Sequence, residues 1–117
     1  NLSESLQVTI ISPSWYANDW LGYFYQSVNG WCYHYNLGWI FPETQSDGSM
    51  WLWSPQLKWL WLNSDSFSKQ QSWAATDENW IYFDFESLPS PRIFRYKDEK
   101  WSPFDKNQEV SILDSLF

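Results

Sequence analysis

Few residues of this chain have side chains that could take part in covalent or acid–base chemistry. His34 is the only histidine and Cys32 the only cysteine among 117 residues. A zinc site needs several imidazole or thiolate ligands, and a Ser-His-Asp arrangement would have to use His34. That histidine lies in an alternating, strand-like segment, where packing is the simpler interpretation. Cys32 cannot form an internal disulfide, and between two aromatic residues it is expected to be a small packed hydrophobe.

One pair of carboxylates has a spacing that suits glycoside hydrolysis. Asp84 and Glu86 would share a strand face at i, i+2, and such hydrolysis uses two carboxylates. The alternative, which we favour, is an ion pair with Arg92 or Arg95 across a hairpin, since opposite charges stabilise strand pairing. The sequence has neither a Gly-rich phosphate loop nor the ligand spacing of a calcium loop. We therefore expect no catalysis, no bound metal and no cofactor.

Aromatic rings are the abundant chemical feature, with 11 Trp, 7 Tyr and 8 Phe. Sugar rings stack their C–H faces on Trp and Tyr, whereas a quaternary ammonium needs a ring cage and gains about 0.5–2 kcal/mol of cation–π attraction. Polar side chains that could bind hydroxyl groups beside such rings are Asp47, Asp65, Asp84 and Asn36. The composition therefore favours a binding surface over a reaction centre.

The charge distribution excludes two classes of partner. The net charge is −7, and residues 1–57 contain no Lys or Arg. Stacking on nucleic acid would require a basic stripe to neutralise phosphates, and anionic membrane requires a basic patch as well. The sequence thus predicts no nucleic-acid partner and no anionic membrane, and a neutral or cationic ligand suits it better.

The elements that must position these rings are short strands. Residues 31–41 and 51–61 share one pattern at an offset of twenty: Trp, apolar, aromatic, a break that contains Leu, then Trp, apolar, aromatic. Alternation predicts strands over 6–11, 20–25, 31–34, 39–41, 51–53, 59–62, 80–85 and 92–96, and a final strand through Val110 and Ile112. Asn29-Gly30 and Asp47-Gly48 are turn signals. Helix signals are nearly absent, and residues 63–79 are expected to form a long polar loop or two turns around a weak strand.

These features predict an all-β fold: an antiparallel meander of short aromatic hairpins in one compact sheet, either barrel-like or a short repeat domain. Residues 1–117 form a single domain, with an N-terminal strand and lead-in over 1–19, aromatic hairpins over 20–101, and a tail or strand over 102–117. Within 59–62, Trp59 and Trp61 face one side while Leu60 and Leu62 face the other. We expect the aliphatic side in the core and the Trp/Tyr side as a half-exposed ladder. The alternative is a sheet with both faces partly covered.

A resemblance to a known class of repeats rests on three motifs. They are Gly30-Trp31-x-Tyr33, Leu37-Gly38-Trp39-x-Phe41 and Asp47-Gly48-Ser49-Met50-Trp51. These resemble the Gly-Trp aromatic repeats of bacterial secreted and surface proteins, in particular a Trp-rich module often placed C-terminally in large exported proteins of environmental bacteria. A looser likeness is to choline-binding and glucan-binding repeats, whose hairpins hold ligand between aromatic rings. The resemblance covers residues 20–101.

The resemblance implies a set of ligand-binding rings and a cellular location. By position, these rings are Trp31, Tyr33, Trp39, Trp51, Trp53, Trp59 and Trp61, and we add Asp47 as a polar partner. The Trp spacing is regular only between 31 and 61, which favours one compact domain over an open solenoid. The sequence therefore predicts a secreted or cell-surface, non-catalytic module that binds polysaccharide or cell-envelope glycan. The alternative is a self-assembling homo-oligomer in which the aromatic face and the terminal strands form the interfaces.

Overall fold

Short runs that alternate between aromatic and aliphatic side chains form strands, because alternation places the two kinds of side chain on opposite faces. The computed structural model describes residues 1–107. Its strands are β1 (Thr9–Ser12), β2 (Trp15–Asn18), β3 (Gly22–Gln26), β4 (Cys32–His34), β5 (Gly38–Thr44), β6 (Met50–Ser54), β7 (Lys58–Leu62), β8 (Gln71–Ala74), β9 (Asn79–Asp84), β10 (Arg92–Arg95) and β11 (Lys100–Pro103). Two short helices accompany them, α1 (Leu2–Ser5) and α2 (Ser64–Ser68).

Each strand pairs antiparallel with the next, so the sheet order is the sequence order from β1 to β11. The prediction of an all-β antiparallel meander is confirmed. Within residues 1–107, β1 and β11 are the two edges and do not pair with each other, so the sheet is open and the barrel-like alternative is not adopted. The predicted final strand through Val110 and Ile112 lies outside the described residues.

The core lies against the inner face of the sheet, which carries aliphatic side chains and phenylalanines. Phe67 of α2 is central to it, since its ring centroid is 5.8 Å from that of His34 in β4 and 6.4 Å from that of Phe83 in β9. These strands are remote in sequence, so the inner face curves around Phe67. The fully buried large side chains include Phe24, Phe83, Leu21, Ile40, Met50, Leu52, Leu60, Leu62 and Ile81.

Every second hairpin in the first part of the sheet, namely β2–β3, β4–β5 and β6–β7, is built around one kind of turn. The residue that ends the first strand of each accepts a hydrogen bond from the backbone N–H of a leucine three residues on: Asn18 from Leu21 (2.9 Å), His34 from Leu37 (3.1 Å) and Ser54 from Leu57 (3.2 Å). All three leucines are buried, and the residue after each has a positive φ. The twenty-residue repeat therefore corresponds to hairpins β4–β5 and β6–β7. Hairpin β2–β3 has the same turn, although its sequence does not follow the repeat pattern.

The sequence prediction was wrong mainly where local signals are short. The polar stretch 63–79 contains strand β8, which agrees with the alternative of a weak short strand, and helix α2, which was not predicted. Asn63 begins the helix with a capping box, in which its side chain accepts from the Ser66 N–H at 2.8 Å and its own N–H donates to the Ser66 hydroxyl at 3.1 Å. At the N-terminus, the strand predicted over 6–11 is present as β1 but begins only at Thr9. Helix α1 before it and strand β2 after it were not predicted.

Candidate ligand-binding face

The outer face of the sheet is aromatic and lies outside the core. None of the eleven Trp side chains is buried, whereas their aliphatic strand neighbours are. In β7, for example, Leu60 and Leu62 are fully buried while Trp59 is 36 % exposed. Trp20 differs from the other tryptophans, since it packs on the edge of Phe67 at a centroid distance of 6.3 Å. Of the two arrangements considered from the sequence, the structure has the aliphatic face inside and the Trp/Tyr face half exposed.

Four tryptophans on consecutive strands lie directly opposite one another. Trp51 of β6 pairs with Trp61 of β7, Trp61 with Trp73 of β8, and Trp73 with Trp80 of β9. We call these four residues the tryptophan row. Because neighbouring strands lie about 4.8 Å apart, the row spans roughly 14 Å across the strands.

Polar and aromatic groups lie at the two ends of the tryptophan row. Glu43 of β5 is the register partner of Trp51 at one end. At the other end, the backbone N–H of Tyr96 donates to the carbonyl of Trp80 at 3.3 Å, which places Tyr96 beside that tryptophan. The row thus offers rings along its length, a carboxylate at one end and a phenol at the other.

Ring orientation leaves aromatic surface accessible along the row. The centroids of Trp73 and Trp80 are 5.8 Å apart with an interplanar angle of 83°, and those of Trp61 and Trp80 are 6.2 Å apart at 75°. An edge-to-face contact of this kind covers one face of only one partner. Ring faces therefore remain available to a ligand that stacks.

A second group of rings repeats one pair in two hairpins. Tyr33 and Trp39 have centroids 5.4 Å apart at 76°, and their equivalents twenty residues later, Trp53 and Trp59, are 5.5 Å apart at 67°. Trp31 joins this side of the sheet through Phe41, at 5.4 Å. All seven aromatic residues selected from the sequence therefore lie on one face.

Asp47, the polar residue chosen with them, lies in the turn between β5 and β6. Its carboxylate accepts hydrogen bonds from the Ser49 N–H at 3.0 Å and from the Ser49 hydroxyl at 2.5 Å. These two hydrogen bonds, the hydroxyl one first, lower the pKa of Asp47 below its usual value. The carboxylate thus stabilises its own turn.

Two tryptophan faces are covered by cations of the chain itself. The Lys58 Nζ lies 5.4 Å from the ring centroid of Trp53, and the Arg92 guanidinium lies 4.4 Å from that of Trp101. A ligand that stacks on either ring must displace or share that side chain. These two rings are therefore less available than those of the tryptophan row.

The candidate glycosidase carboxylate forms an ion pair. Asp84 and Arg92 are register partners across β9 and β10, with Oδ2 and Nη2 4.0 Å apart. This confirms for Asp84 the cross-strand pairing that the sequence favoured, whereas Glu86 lies beyond the end of β9 and forms no ion pair within residues 1–107. Arg95 bonds Asp77 instead, at 2.9 Å.

His34 and Cys32 are both held in the interior. The His34 Nε2–H donates to the carbonyl of Leu21 at 2.6 Å, while Nδ1 accepts the backbone N–H groups of Asn36 and Leu37, each at 3.1 Å. Burial lowers the pKa of His34 to about 4 and raises the pKa of the Cys32 thiol to about 12. Both ring nitrogens of His34 are thus committed to backbone groups.

Sequence reasoning missed the residues at the far end of the tryptophan row. Gln71, Asn79, Trp80 and Tyr96 line an open depression of about 370 Å³ there. The sequence does indicate Trp80, because Trp80-Ile81-Tyr82 repeats the Trp-apolar-aromatic pattern of residues 31–33. The other members lie outside the regular repeat and meet only through strand register.

Comparison of the chain with protein-family models, with curated proteins and with solved structures finds no match. No helix within residues 1–107 is long and apolar enough to cross a membrane. The outer aromatic face and its geometry are therefore the basis for assigning a function.

Proposed function

We propose that this chain is a non-catalytic binding module that takes a polysaccharide or a cell-envelope glycan on its outer aromatic face. The observation that carries the proposal is the tryptophan row, in which four half-buried rings lie in register on consecutive strands. The fully buried side chains include no tryptophan, so these rings are available to a ligand. The four rings are each partly exposed and adjoin one another, and a contiguous apolar surface of this kind typically marks a binding site.

The chemistry of the face favours sugars over the other aromatic-stacking ligands. A net charge of −7 opposes nucleic acid and anionic membrane. A quaternary ammonium ligand would compete with the lysine and arginine that already cover Trp53 and Trp101. A neutral glycan is not repelled by the negative charge and can stack on the four rings of the tryptophan row. The likeness to Gly-Trp repeats of exported bacterial proteins supports placing the module in a secreted or cell-surface protein.

Retention on insoluble glycans tests this function. The purified chain is incubated with cellulose, xylan, chitin and peptidoglycan, and the bound fraction and any released reducing ends are measured. We expect retention on at least one neutral glycan, loss of it in Trp61→Ala, and no release of reducing ends. Absence of retention on all four would contradict the binding function, and hydrolysis would contradict its non-catalytic part.

A specific feature of the sheet supports self-assembly as the second candidate function. All four residues of edge strand β1 are exposed, and Ile10 and Ile11 are 73 % and 55 % exposed. An apolar, unprotected edge can pair with a strand of another copy. The opposite edge, β11, carries Lys100 and Pro103, which discourage such pairing.

Light scattering after size-exclusion chromatography separates the two candidates. Self-assembly predicts a mass that rises with protein concentration and returns to 14.1 kDa in the Ile10→Lys variant. A constant monomer mass at all concentrations contradicts this second candidate and leaves the binding function unaffected.

A further inference from the structure

We propose that the depression formed by Gln71, Asn79, Trp80 and Tyr96 is a subsite for one uncharged sugar residue of the bound glycan. This inference rests on the proposed function and specifies its ligand class. The depression is continuous with the tryptophan row, because Trp80 is both the last ring of the row and part of the depression wall. A glycan stacked along the row would therefore place one residue in it.

The depression combines a stacking platform with amide side chains. Trp80 lies on β9, and Tyr96 follows the end of the neighbouring strand β10; the indole and the phenol provide the apolar contact for a sugar face. The side-chain amide of Gln71 makes no hydrogen bond within residues 1–107. The Asn79 Oδ1 accepts from the backbone N–H of Trp80 at 2.7 Å, which leaves the amide nitrogen of Asn79 as a donor for a ligand hydroxyl.

Amide groups match the hydrogen-bonding capacity of hydroxyls. A side-chain amide offers two donors and an acceptor, while a sugar hydroxyl is both donor and acceptor. When a ligand displaces solvent from the Gln71 amide, its hydroxyl can therefore take over the hydrogen bonds and leave no group unpaired. This arrangement suits a polyol better than a purely apolar ligand.

Charge in and around the depression selects against ionised sugars. Its four lining residues are uncharged. Their sequence neighbours Glu78 and Lys97 have opposite signs, and Arg95 is already paired with Asp77 at 2.9 Å. The carboxylate of a uronate would thus have no unpaired arginine beside it, and no bidentate hydrogen bonds would offset the cost of its desolvation. The subsite therefore favours neutral sugars.

The size of the depression limits how much of a glycan it accepts. Its volume of about 370 Å³ lies at the small end of ligand pockets, which range over roughly 300–1,000 Å³. One sugar residue at the end of the row, rather than an extended chain, fits that volume. The longer stretch of the glycan stacks on the other rings.

Titration of the chain with soluble hexasaccharides tests the subsite. Cellohexaose, xylohexaose and mannohexaose are the neutral probes, and hexagalacturonate is the anionic one, with binding followed by calorimetry. For whichever neutral probe binds, Gln71→Ala should weaken affinity about three- to tenfold, the equivalent of one hydrogen bond. Gln7→Ala, an exposed glutamine remote from the row, is the matched control and should not change it.

Two further variants distinguish loss of stacking from loss of fold. Trp80→Ala should weaken neutral binding more than tenfold, and Trp80→Phe should restore part of it because a ring face returns. Near-ultraviolet circular dichroism verifies that each variant keeps its tertiary packing. If Trp80→Ala does not fold, Gln71→Ala still decides the question, since its side chain has no partner to lose.

The outcomes separate failure of the subsite from failure of the function. If Gln71→Ala and a folded Trp80→Ala variant leave neutral binding unchanged while Trp59→Ala abolishes it, the subsite is overturned and the binding function stands. Hexagalacturonate binding as tightly as the neutral probes overturns the ligand class. If no probe binds and the insoluble glycans are not retained either, both proposals fall.

Discussion

His34 and Ser54 occupy the same place in two hairpins that lie twenty residues apart in the sequence. Each is buried, ends the first strand of its hairpin, and accepts the N–H of a leucine three residues on, at 3.1 and 3.2 Å respectively. An imidazole and a hydroxyl therefore perform the same structural task. Only the imidazole can gain a proton near neutral pH, so His34 makes the stability of its hairpin depend on pH.

The first prediction is that folding stability falls as the solution is acidified below about pH 6.5. The pKa of His34 is about 4 in the folded chain and 6.5 when unfolded. As pH drops through this window, the unfolded chain binds the proton first. Stability present above pH 6.5 is thus lost progressively down to pH 4, by about 3 kcal/mol from this residue. Urea unfolding followed by Trp fluorescence at several pH values measures it.

The His34→Ser variant isolates that contribution. The repeat itself places Ser at the equivalent position, so the turn should keep its hydrogen bond. We expect the variant to be less stable at pH 7, because the contact with Phe67 is lost. Its free energy of unfolding should not show the decrease between pH 6.5 and 4 that His34 causes in the original chain. Equal pH dependence in the two proteins would rule out His34 as the cause.

The second prediction compares two glycines at equivalent turn positions. Gly22 and Gly38 have φ of +91° and +79°, so alanine is strained at both. At Gly38 a Cβ would also lie 2.5 Å from the backbone carbonyl oxygen of Lys106, while at Gly22 nothing lies within 4 Å. Gly22→Ala should cost about 1 kcal/mol, and Gly38→Ala clearly more. Thermal unfolding of both variants measures the difference, and equal costs would mean that residue 106 does not pack on this turn.

The third prediction separates the outer face from the core within one strand. Leu60 is fully buried, so Leu60→Ala should cost about 2–5 kcal/mol. Trp61 is half buried, so Trp61→Ala should cost no more than about 2 kcal/mol. Trp53→Ala, on the neighbouring strand, should have a similar cost in stability but reduce glycan retention less, because Lys58 covers the Trp53 ring. Urea unfolding provides the measurement, and a larger loss in the tryptophan variants would assign these rings to the core.

The fourth prediction concerns the single thiol. Cys32 is fully buried, its Sγ lies 3.3 Å from the Gln26 Oε1, and burial raises its pKa to about 12. At pH 8 the folded chain should therefore react with a disulfide reagent at a small fraction of the rate in urea. The chain has no other cysteine, so any signal reports this one. Rapid native labelling would show that the β3–β4 hairpin opens readily.

Part of the candidate face was predictable because it depends on local pattern. The seven rings chosen from residues 31–61 lie on one face, since tight turns in this segment fix the pairing of adjacent strands. Trp73 was expected in a loop or a weak short strand and was not chosen as a ligand-binding ring, and neither was Tyr96, although both flank Trp80. Their proximity depends on helix α2 and on the register of β7 through β10, which sequence spacing does not specify.

The sequence by itself determined which side chains share a strand face, because side chains alternate with a period of two. Trp59 and Trp61 oppose Leu60 and Leu62 for this reason alone. Only the tertiary structure decided which face is covered. Phe67 of α2 contacts strands that are remote in sequence, and the inner face curves around it, leaving the tryptophans outside. That contact joins distant parts of the chain, so no local pattern encodes it.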